Sequence, residues 1–153
     1  MAKQYWLVKS EPSDYSFAQF KKDGRIGWTG VRNYQARNTM RDAMKLGDGV
    51  LFYHSSTEPT AVMGVAEVSR ESHPDPAQFD KKSDYYDAKS KPDAPTWMMV
   101  EIKFVEEFAK PVTLAQIKST KGLEKMMLVQ KGSRLSVQPV SADEWAIICK
   151  LGR

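Results

Sequence analysis

Cysteine and histidine are scarce in this chain of 153 residues, which holds one cysteine, Cys149, and two histidines, His54 and His73. A lone thiol cannot form a disulfide within the chain, and these three side chains are too few for a structural zinc cage. Because Cys149 lies in an apolar run, we expect it to be a small buried hydrophobe rather than a reactive group. We accordingly expect no metal and no other cofactor.

Long apolar runs are also absent. No window approaches the roughly 18 uninterrupted apolar residues of a membrane span, and the first ten residues lack the apolar run and cleavage site of a secretory signal. We therefore expect a soluble, cytoplasmic protein with no membrane partner. A chain of this length can sustain a core without disulfides, so residues 1–153 are predicted to form one domain. The sequence does not reveal the oligomeric state, and a monomer is the default.

Catalytic motifs are missing as well: there is no Gly-x-Ser-x-Gly elbow, no Gly-rich phosphate loop and no His-Glu-x-x-His. His54, which precedes two serines, is the one candidate for Ser/His/Asp chemistry. Residues 9–11 bring a lysine, a serine and a glutamate together in sequence. Consecutive strand residues point to opposite faces, however, so adjacency does not make these three a site. The sequence therefore favours a protein that is not an enzyme.

Charge is distributed unevenly, although the formal net charge is only +4. Residues 21–45 hold seven basic and two acidic side chains, and residues 106–134 hold six and three. Between them, residues 46–105 carry six basic and ten acidic side chains. Basic segments that meet in the fold form a patch suited to phosphates, and otherwise they are solvated surface. Charge alone leaves both interpretations open.

Strand patterns are spread along the whole chain, most clearly where Val100, Ile102 and Phe104 alternate with polar residues. The predicted strands are 5–9, 25–28, 49–54, 60–68, 97–108 and 134–139. Capping residues predict four helices between them, beginning at Ser16, Asn33, Thr113 and Ser141. Helices scattered among mostly antiparallel strands, without regular βαβ alternation, predict an α+β fold: a small barrel or strongly bent sheet with helices around it.

The least core-like stretch, residues 71–95, mixes four prolines with charges and with Tyr85 and Tyr86. Loops of this length in compact domains are usually functional or mobile. We expect this excursion to pack back onto the body through its aromatic residues. Trp97, which closes it, is predicted to be either part of a lid or an anchor for the loop.

Aromatic residues stand beside polar and basic ones at several predicted strand ends. Trp6 precedes Lys9 and Ser10, and Trp28 precedes Asn33. A single tryptophan is more often core than a stacking surface. An indole face together with a side-chain amide, however, is the combination that stacks on an extruded nucleobase and pairs with its edge.

Longer motifs carry a resemblance to a known family. Residues 27–56 read GWTGVRNYQARNTMRDAMKLGDGVLFYHSS, with YWLVKSEP before them at 5–12 and RLSVQPV after them at 134–140. With PDPAQFDKKSDYYD in the excursion and TWMMVEIKF after it, the chain resembles the EVE domain family of the PUA-like superfamily over nearly its whole length.

The resemblance implies a bent β-barrel of about five or six mostly antiparallel strands, related to domains that bind RNA or flip modified bases out of DNA. It also implies binding of a modified nucleobase, such as a methylated cytosine, in DNA or RNA and without catalysis. The pocket residues that it implies are Trp6, Lys9, Ser10, Trp28, Asn33, Tyr53, His54, Ser55, Arg134 and Ser136. Arg32 and Arg37 are predicted phosphate contacts, together with Lys9 and Arg134.

Two other function classes stay open. The first is a PUA-like hydrolase acting on a modified nucleoside, with Lys9 and Ser10 activated by a carboxylate such as Glu67 or Glu101. The second is a protein-interaction module that uses the tyrosines of the excursion.

Overall fold

A six-stranded sheet organises the computed structural model, which describes residues 3–130 and 135–153. Its hydrogen-bonded order is β2-β5-β4-β3-β1-β6. The strands are β1 (Tyr5–Ser10), β2 (Arg25–Gly27), β3 (Gly49–His54), β4 (Ala61–Pro74), β5 (Met98–Thr113) and β6 (Val137–Val140). Each of the six lies at or near a predicted strand, so the alternating pattern of the sequence located the sheet correctly.

The strand pairing is mixed. β1 runs parallel to β3, while the other four pairings are antiparallel. Within the described residues the sheet is open, with β2 and β6 at its two edges. Five register shifts interrupt the pairings of β4 with its neighbours, and such bulges bend and twist a strand. The predicted α+β fold with a bent, mostly antiparallel sheet is confirmed, and the bending stops short of a closed barrel.

The long strands differ most from their predicted ranges. β4 extends to Pro74 and β5 extends to Thr113, beyond the predicted limits of 60–68 and 97–108. Each bulge shifts the alternation of inward and outward side chains, so the sequence pattern fades before the strand ends. Residues 71–74, which were predicted to belong to the excursion, are therefore part of the sheet.

The four helices begin where their capping residues predicted. They are α1 (Phe17–Asp23), α2 (Tyr34–Asp42), α3 (Leu114–Lys118) and α4 (Ala142–Gly152). The side chains of Ser16, Asn33, Thr113 and Ser141 each accept a hydrogen bond from a backbone N–H of the first turn. This satisfies a donor that a helix start otherwise leaves open. No helix in the described part of the chain is both long and apolar enough to cross a membrane.

The two faces of the sheet carry separate apolar clusters. Along β1, Trp6 and Val8 belong to one cluster and Leu7 to the other, as side-chain alternation requires. We call the side of Trp6 the first face, and it is covered by α1 and α2 through Phe17, Phe20, Ala36 and Met40. The side of Leu7 is the second face, and it is covered by α3 and α4 through Ile117, Ile148 and Cys149.

Cys149 is only 2% exposed in the second cluster. Burial raises the pKa of its thiol, which disfavours the reactive thiolate. Its predicted role as a small buried hydrophobe is confirmed.

Candidate functional site

Six of the predicted site residues meet where β1 and β3 end. Because these strands are parallel, their carboxyl ends lie at the same edge of the sheet, with Ser10 opposite His54. The backbone N–H of Ser55 donates to the Ser10 carbonyl at 3.0 Å, and that of Lys9 donates to the Ser136 carbonyl at 2.9 Å. We call this group the strand-end edge, and its members are Lys9, Ser10, Tyr53, His54, Ser55 and Ser136.

The strand-end edge is divided between the two faces of the sheet. Alternation along β1 and β3 puts Ser10 and His54 on the first face, and the His54 ring lies 5.9 Å from that of Phe52. Tyr53 belongs to the second cluster, and Lys9 lies opposite it in the strand register. Lys9 and Tyr53 therefore do not share a pocket wall with Ser10 and His54, because neighbouring residues of a strand point to opposite sides.

His54 is fixed by the start of α1. Its Nε2 accepts a hydrogen bond of 2.9 Å from the backbone N–H of Phe17, so Nδ1 carries the proton in this arrangement. Burial lowers the pKa of the imidazole. Next to it, the Ser10 hydroxyl donates to the Tyr15 carbonyl at 2.7 Å. Both side chains are thus oriented by the segment between β1 and α1.

Burial also lowers the pKa of the Lys9 ammonium. Tyr53, its register neighbour, is 3% exposed, and burial raises the pKa of its phenol. The second-face half of the strand-end edge is therefore a half-buried lysine beside a buried phenol.

Both predicted stacking tryptophans are largely core residues. Trp6 is 7% exposed and Trp28 is 8% exposed, and both belong to the first-face cluster. The Trp28 ring packs edge-on against Phe52 at 5.5 Å. The Trp6 Nε1 donates to Oδ2 of Asp48 at 2.9 Å. The structure brings the two indoles into one cluster, with most of each ring covered by the protein.

Asn33 uses one half of its side-chain amide to cap a helix, and the other half is available for a further contact. Its Oδ1 accepts from the Ala36 N–H at 3.0 Å and so caps α2. The residue is exposed, and within residues 3–130 and 135–153 nothing accepts a hydrogen bond from its Nδ2. The amide donors of Asn33 are therefore accessible to a ligand.

A buried carboxylate holds the loop between Trp28 and Asn33. Asp75 is fully buried and accepts from the Thr29 hydroxyl at 2.6 Å and the Gly30 N–H at 2.9 Å. It also accepts from the Ala77 N–H at 2.9 Å and from Arg32 at 3.0 Å. We call residues 28–33 the clamped loop.

Hydrogen bonding decides the charge state of Asp75. Burial on its own raises the pKa of the carboxyl, but the bonds from Thr29, Gly30, Ala77 and Arg32 outweigh it and lower the pKa. The ionised carboxylate is thus the form that the clamped loop stabilises. Asp75 is absent from the site residues predicted from sequence, because its only signal there is an aspartate between two prolines.

The two predicted phosphate contacts on this side are engaged within the protein. The Arg32 guanidinium donates twice to the Tyr85 carbonyl, once to the Val31 carbonyl and once to Asp75. Arg37 donates to the Thr96 carbonyl at 2.9 Å and to its neighbour Asn38. Arg32 is consequently a clamp for the excursion, with four hydrogen bonds inside the protein, and its phosphate contact stays a prediction. Arg134 lies outside the described residues.

The excursion is anchored rather than loose. Trp97 is 6% exposed, and its Nε1 donates to Oδ2 of Asp87 at 2.9 Å. The buried Gln78 donates to the Asp75 and Trp97 carbonyls and accepts from the Ser90 hydroxyl and the Trp97 N–H. Of the two alternatives for Trp97, the anchor is the one that the structure supports.

Two clefts in the described part of the chain lie outside the predicted set. One, of about 440 Å³, is lined by Gly27, Thr29, Pro76, Ala77, Asp80 and Met99. The other, of about 260 Å³, is lined by Glu58, Pro59, Thr60, Thr113, Leu114, Ala115 and Lys118. The first borders the clamped loop at Thr29, and neither contains a residue of the strand-end edge.

The carboxylates of the hydrolase alternative have other partners. Glu67 forms an ion pair with Lys103 at 3.1 Å, and Glu101 accepts from the Ser69 hydroxyl at 2.9 Å. Glu67 lies opposite Gly49, four residues along β3 from the Tyr53 that faces Lys9. Four residues of strand span about 13 Å, which is too far for proton transfer. The described residues also contain no cluster of His, Cys, Asp and Glu suited to a metal ion.

Comparison with known proteins identifies the family. A family model described as the EVE domain matches residues 4–151. The chain belongs to the EVE domain family. The resemblance drawn from the sequence motifs is confirmed by this match.

Relatives of this EVE domain share most of its length. Human thymocyte nuclear protein 1 is 37% identical over 165 residues, which cover 96% of this chain and 73% of that protein. A solved structure of a hypothetical protein from Leishmania major is 46% identical, with a TM-score of 0.93, and the match covers 99% of this chain and 95% of that one. The described fold is therefore the fold of solved EVE relatives.

One solved relative was crystallised with a ligand. The human THYN1 protein in complex with 5-methylcytosine containing DNA is 35% identical to this chain, with a TM-score of 0.92. The match covers 99% of this chain and 98% of that one.

Proposed function

We propose that this EVE domain binds DNA that contains a modified cytosine and accepts the modified base without altering it. One observation carries the proposal: the human THYN1 structure that contains 5-methylcytosine DNA matches 99% of this chain at a TM-score of 0.92. A similarity of that extent includes the elements that place the clamped loop and the strand-end edge.

The base contact is proposed at the clamped loop, on the first face of the sheet. Asn33 is exposed and has accessible amide donors, so it reads the edge of the base. The uncovered part of Trp28 borders the ring of the base. Ser10 and His54, on the same face as the Trp28 cluster, add polar contacts from the strand-end edge. The predicted contacts of Ser136 and Ser55 are retained on the Lys9 side of that edge.

The energetics make discrimination depend on the modification itself. Aromatic stacking contributes roughly 1–3 kcal/mol per base, and extrusion from a duplex costs a few kcal/mol. Because these two free energies nearly cancel, affinity for an unmodified base is low. Burying one methyl group contributes about 0.8 kcal/mol, a factor near four in affinity.

Phosphate binding is assigned to a smaller set than the sequence suggested. Lys9 is half-buried at the strand-end edge, and its predicted phosphate contact is retained in the proposal with that of Arg134. Arg32 is left out because its donors hold Asp75 and the excursion.

The protein is proposed to act as one domain over residues 1–153. Its monomeric state, its cytoplasmic location and any binding of RNA stay predictions.

The test separates the two roles of Asn33. An Asn33→Ser variant keeps a good helix cap, because serine caps as well as asparagine, and removes the amide donors. Affinity is measured by titration of labelled DNA and RNA oligonucleotides with cytosine or 5-methylcytosine at two salt concentrations. The wild-type chain is expected to bind the methylated DNA more tightly, and its affinity for DNA is expected to fall as the salt concentration rises.

Cytosine and 5-methylcytosine present the same pairing edge, so Asn33→Ser is expected to weaken binding of both oligonucleotides without a change in melting temperature. The matched control is Gln35→Ser, which removes another exposed side-chain amide at the start of the same helix and should bind as the wild type does. Equal wild-type affinities for methylated and unmethylated DNA would exclude the modified-base proposal. A wild-type affinity without salt dependence would exclude nucleic-acid binding altogether.

A further inference from the structure

Five side chains form a continuous stack of two cations and three aromatic rings, with Trp97 buried and with Tyr34 and Tyr85 exposed. The Arg37 guanidinium carbon lies 4.9 Å from the Tyr34 ring, which stacks on Trp97 at 5.0 Å and 27°. The Arg32 guanidinium carbon lies 5.3 Å from the Trp97 ring and 5.3 Å from the Tyr85 ring. We call this arrangement the cation–aromatic stack, and its order is Arg37, Tyr34, Trp97, Arg32 and Tyr85.

The stack is held in place by hydrogen bonds at three of its members. Arg37 donates to the Thr96 carbonyl, Trp97 donates to Asp87, and Arg32 donates to Asp75. The first bond reaches Thr96, just past the excursion, and the other two reach separate parts of the excursion itself, so the arrangement is fixed before any ligand arrives. A contact surface that is already ordered loses little conformational entropy on binding.

The stack is nevertheless open to solvent. Tyr34 is 61% exposed and Tyr85 is 42% exposed, although each is in contact with other members. A fixed and exposed aromatic residue is the kind of side chain that supplies contact area at protein interfaces. Tyr34 also directly follows Asn33, so the open part of the stack adjoins the proposed base contact.

The charge around Tyr34 indicates which partner fits. Beyond Tyr34, α2 carries Arg37 and Arg41, and Lys45 lies just after its end, against one acidic residue, Asp42. Exposed aromatic rings interleaved with basic side chains are typical of surfaces that bind single-stranded or unstacked nucleic acid. A nucleobase is also a flat aromatic ring, so it can extend a stack of cations and rings.

We propose that the cation–aromatic stack is a second nucleic-acid contact, at which an unpaired base flanking the recognised one stacks against the Tyr34 and Arg37 end. The adjoining phosphates are contacted by Arg41, which lies one helix turn after Arg37 and pairs with Asp42, and by Lys45 beyond the end of the helix. This contact takes any base, since every base has a flat face. This inference rests on the proposed function only in that the partner is a nucleic acid. It does not require that the protein recognise a modified base.

The experiment compares two exposed tyrosines. Tyr34→Ala removes a stacked ring, whereas Tyr86→Ala removes a ring that is 39% exposed and has no ring contact in the described residues. Affinity is titrated with oligonucleotides that carry cytosine or 5-methylcytosine in a short unpaired stretch. Tyr34→Ala is expected to lower affinity by roughly 5- to 150-fold for both oligonucleotides, and Tyr86→Ala is expected to leave both unchanged.

Tyr34→Phe keeps the ring and should bind as the wild type does, which distinguishes lost stacking from a folding defect. Equal affinities of Tyr34→Ala and Tyr86→Ala, or an equal loss in Tyr34→Phe and Tyr34→Ala, would overturn the proposal. A wild-type chain that binds neither oligonucleotide would overturn it too. Failure of the modified-base proposal gives a different result, namely equal wild-type affinities for the two oligonucleotides while Tyr34→Ala still weakens both.

Discussion

The strand-end edge and the clamped loop are built in different ways. At the strand-end edge, Ser10 and His54 are placed by the parallel register of β1 and β3 and by backbone hydrogen bonds. In the clamped loop, the chain between Trp28 and Asn33 has no regular pairing and is held by side-chain and backbone donors to one carboxylate, Asp75. The first region should therefore tolerate side-chain changes, and the second should depend on a single residue.

The largest expected effect is that of Asp75→Ala. The change leaves the Arg32 charge without its partner and leaves the three other donors to Asp75, from Thr29, Gly30 and Ala77, without that acceptor. Removing one partner of a buried ion pair typically costs 3–5 kcal/mol of unfolding free energy, so we expect a loss of about 3 kcal/mol or more. Urea unfolding measures it.

The control for Asp75→Ala is Asp84→Ala, which removes an exposed acidic side chain of the same excursion and should change the unfolding free energy by less than about 0.5 kcal/mol. Ser10→Ala, at the strand-end edge, loses one hydrogen bond and should cost about 1 kcal/mol. A loss for Asp75→Ala no greater than that for Ser10→Ala would contradict the proposed difference between the two regions.

A smaller effect is expected at Gly30, where the clamped loop passes under the excursion. Gly30 has a φ of +82°, and a Cβ there would lie 2.7 Å from the Tyr85 ring. Gly30→Ala therefore combines a backbone cost of roughly 1–2 kcal/mol with displacement of Tyr85. Gly24 has a nearly equal φ of +83°, and a Cβ at that position would have no atom within 4 Å, so Gly24→Ala carries the backbone cost alone.

The difference between the two glycine variants isolates the contact with Tyr85. Thermal unfolding of both is expected to show Gly30→Ala as the less stable one. Equal melting temperatures would mean that the excursion moves away from the loop at no cost, and the description of the loop as clamped would then be wrong.

The smallest expected effect is a pH dependence at the strand-end edge. The pKa of His54 is lowered by burial, so the unfolded chain takes up a proton near pH 6.5 before the folded chain does. The contribution of His54 to stability is therefore complete above about pH 6.5 and is lost as the pH falls toward the folded-state pKa. Protonation of Nε2 also removes the acceptor for the Phe17 N–H.

Melting temperatures at pH 7.5 and pH 5.5 test this dependence. His54→Gln cannot take up the proton and can still accept a hydrogen bond, so it should lose less stability between the two pH values than the wild type. His73→Gln, on the outer part of β4, is the control and should follow the wild type. An equal loss in the wild type and His54→Gln would contradict the assignment.

The same contrast explains what the sequence could predict. Strand alternation located every strand of the sheet, and capping residues located the start of each helix, because both signals are local. Ser10 directly follows the predicted strand 5–9 and His54 ends the predicted strand 49–54, but their meeting depends on the parallel pairing of β1 with β3, which the alternation does not indicate. The same alternation places Lys9 and Tyr53 on the other face. The family resemblance nevertheless grouped them with Ser10 and His54 in one pocket.

The clamped loop was out of reach because its bonds join distant parts of the chain. Asp75 is 45 residues from Gly30 and 43 from Arg32 in the sequence. No local sequence pattern indicates that its carboxylate is buried. Basic residues near a binding motif suggest phosphate contacts, and the sequence does not show that Arg32 also has acceptors inside the protein. Asp48, which accepts from the Trp6 indole, was missed for the same reason.

Titration of the wild-type chain with matched oligonucleotides, one with 5-methylcytosine and one with cytosine, tests the central claim most directly. We predict tighter binding of the methylated strand, by a factor of about four from burial of one methyl group. We also predict that Asn33→Ser weakens binding of both oligonucleotides, because the base edge that it reads is the same in both, while keeping the wild-type melting temperature. Indistinguishable wild-type affinities for the two oligonucleotides would contradict the claim.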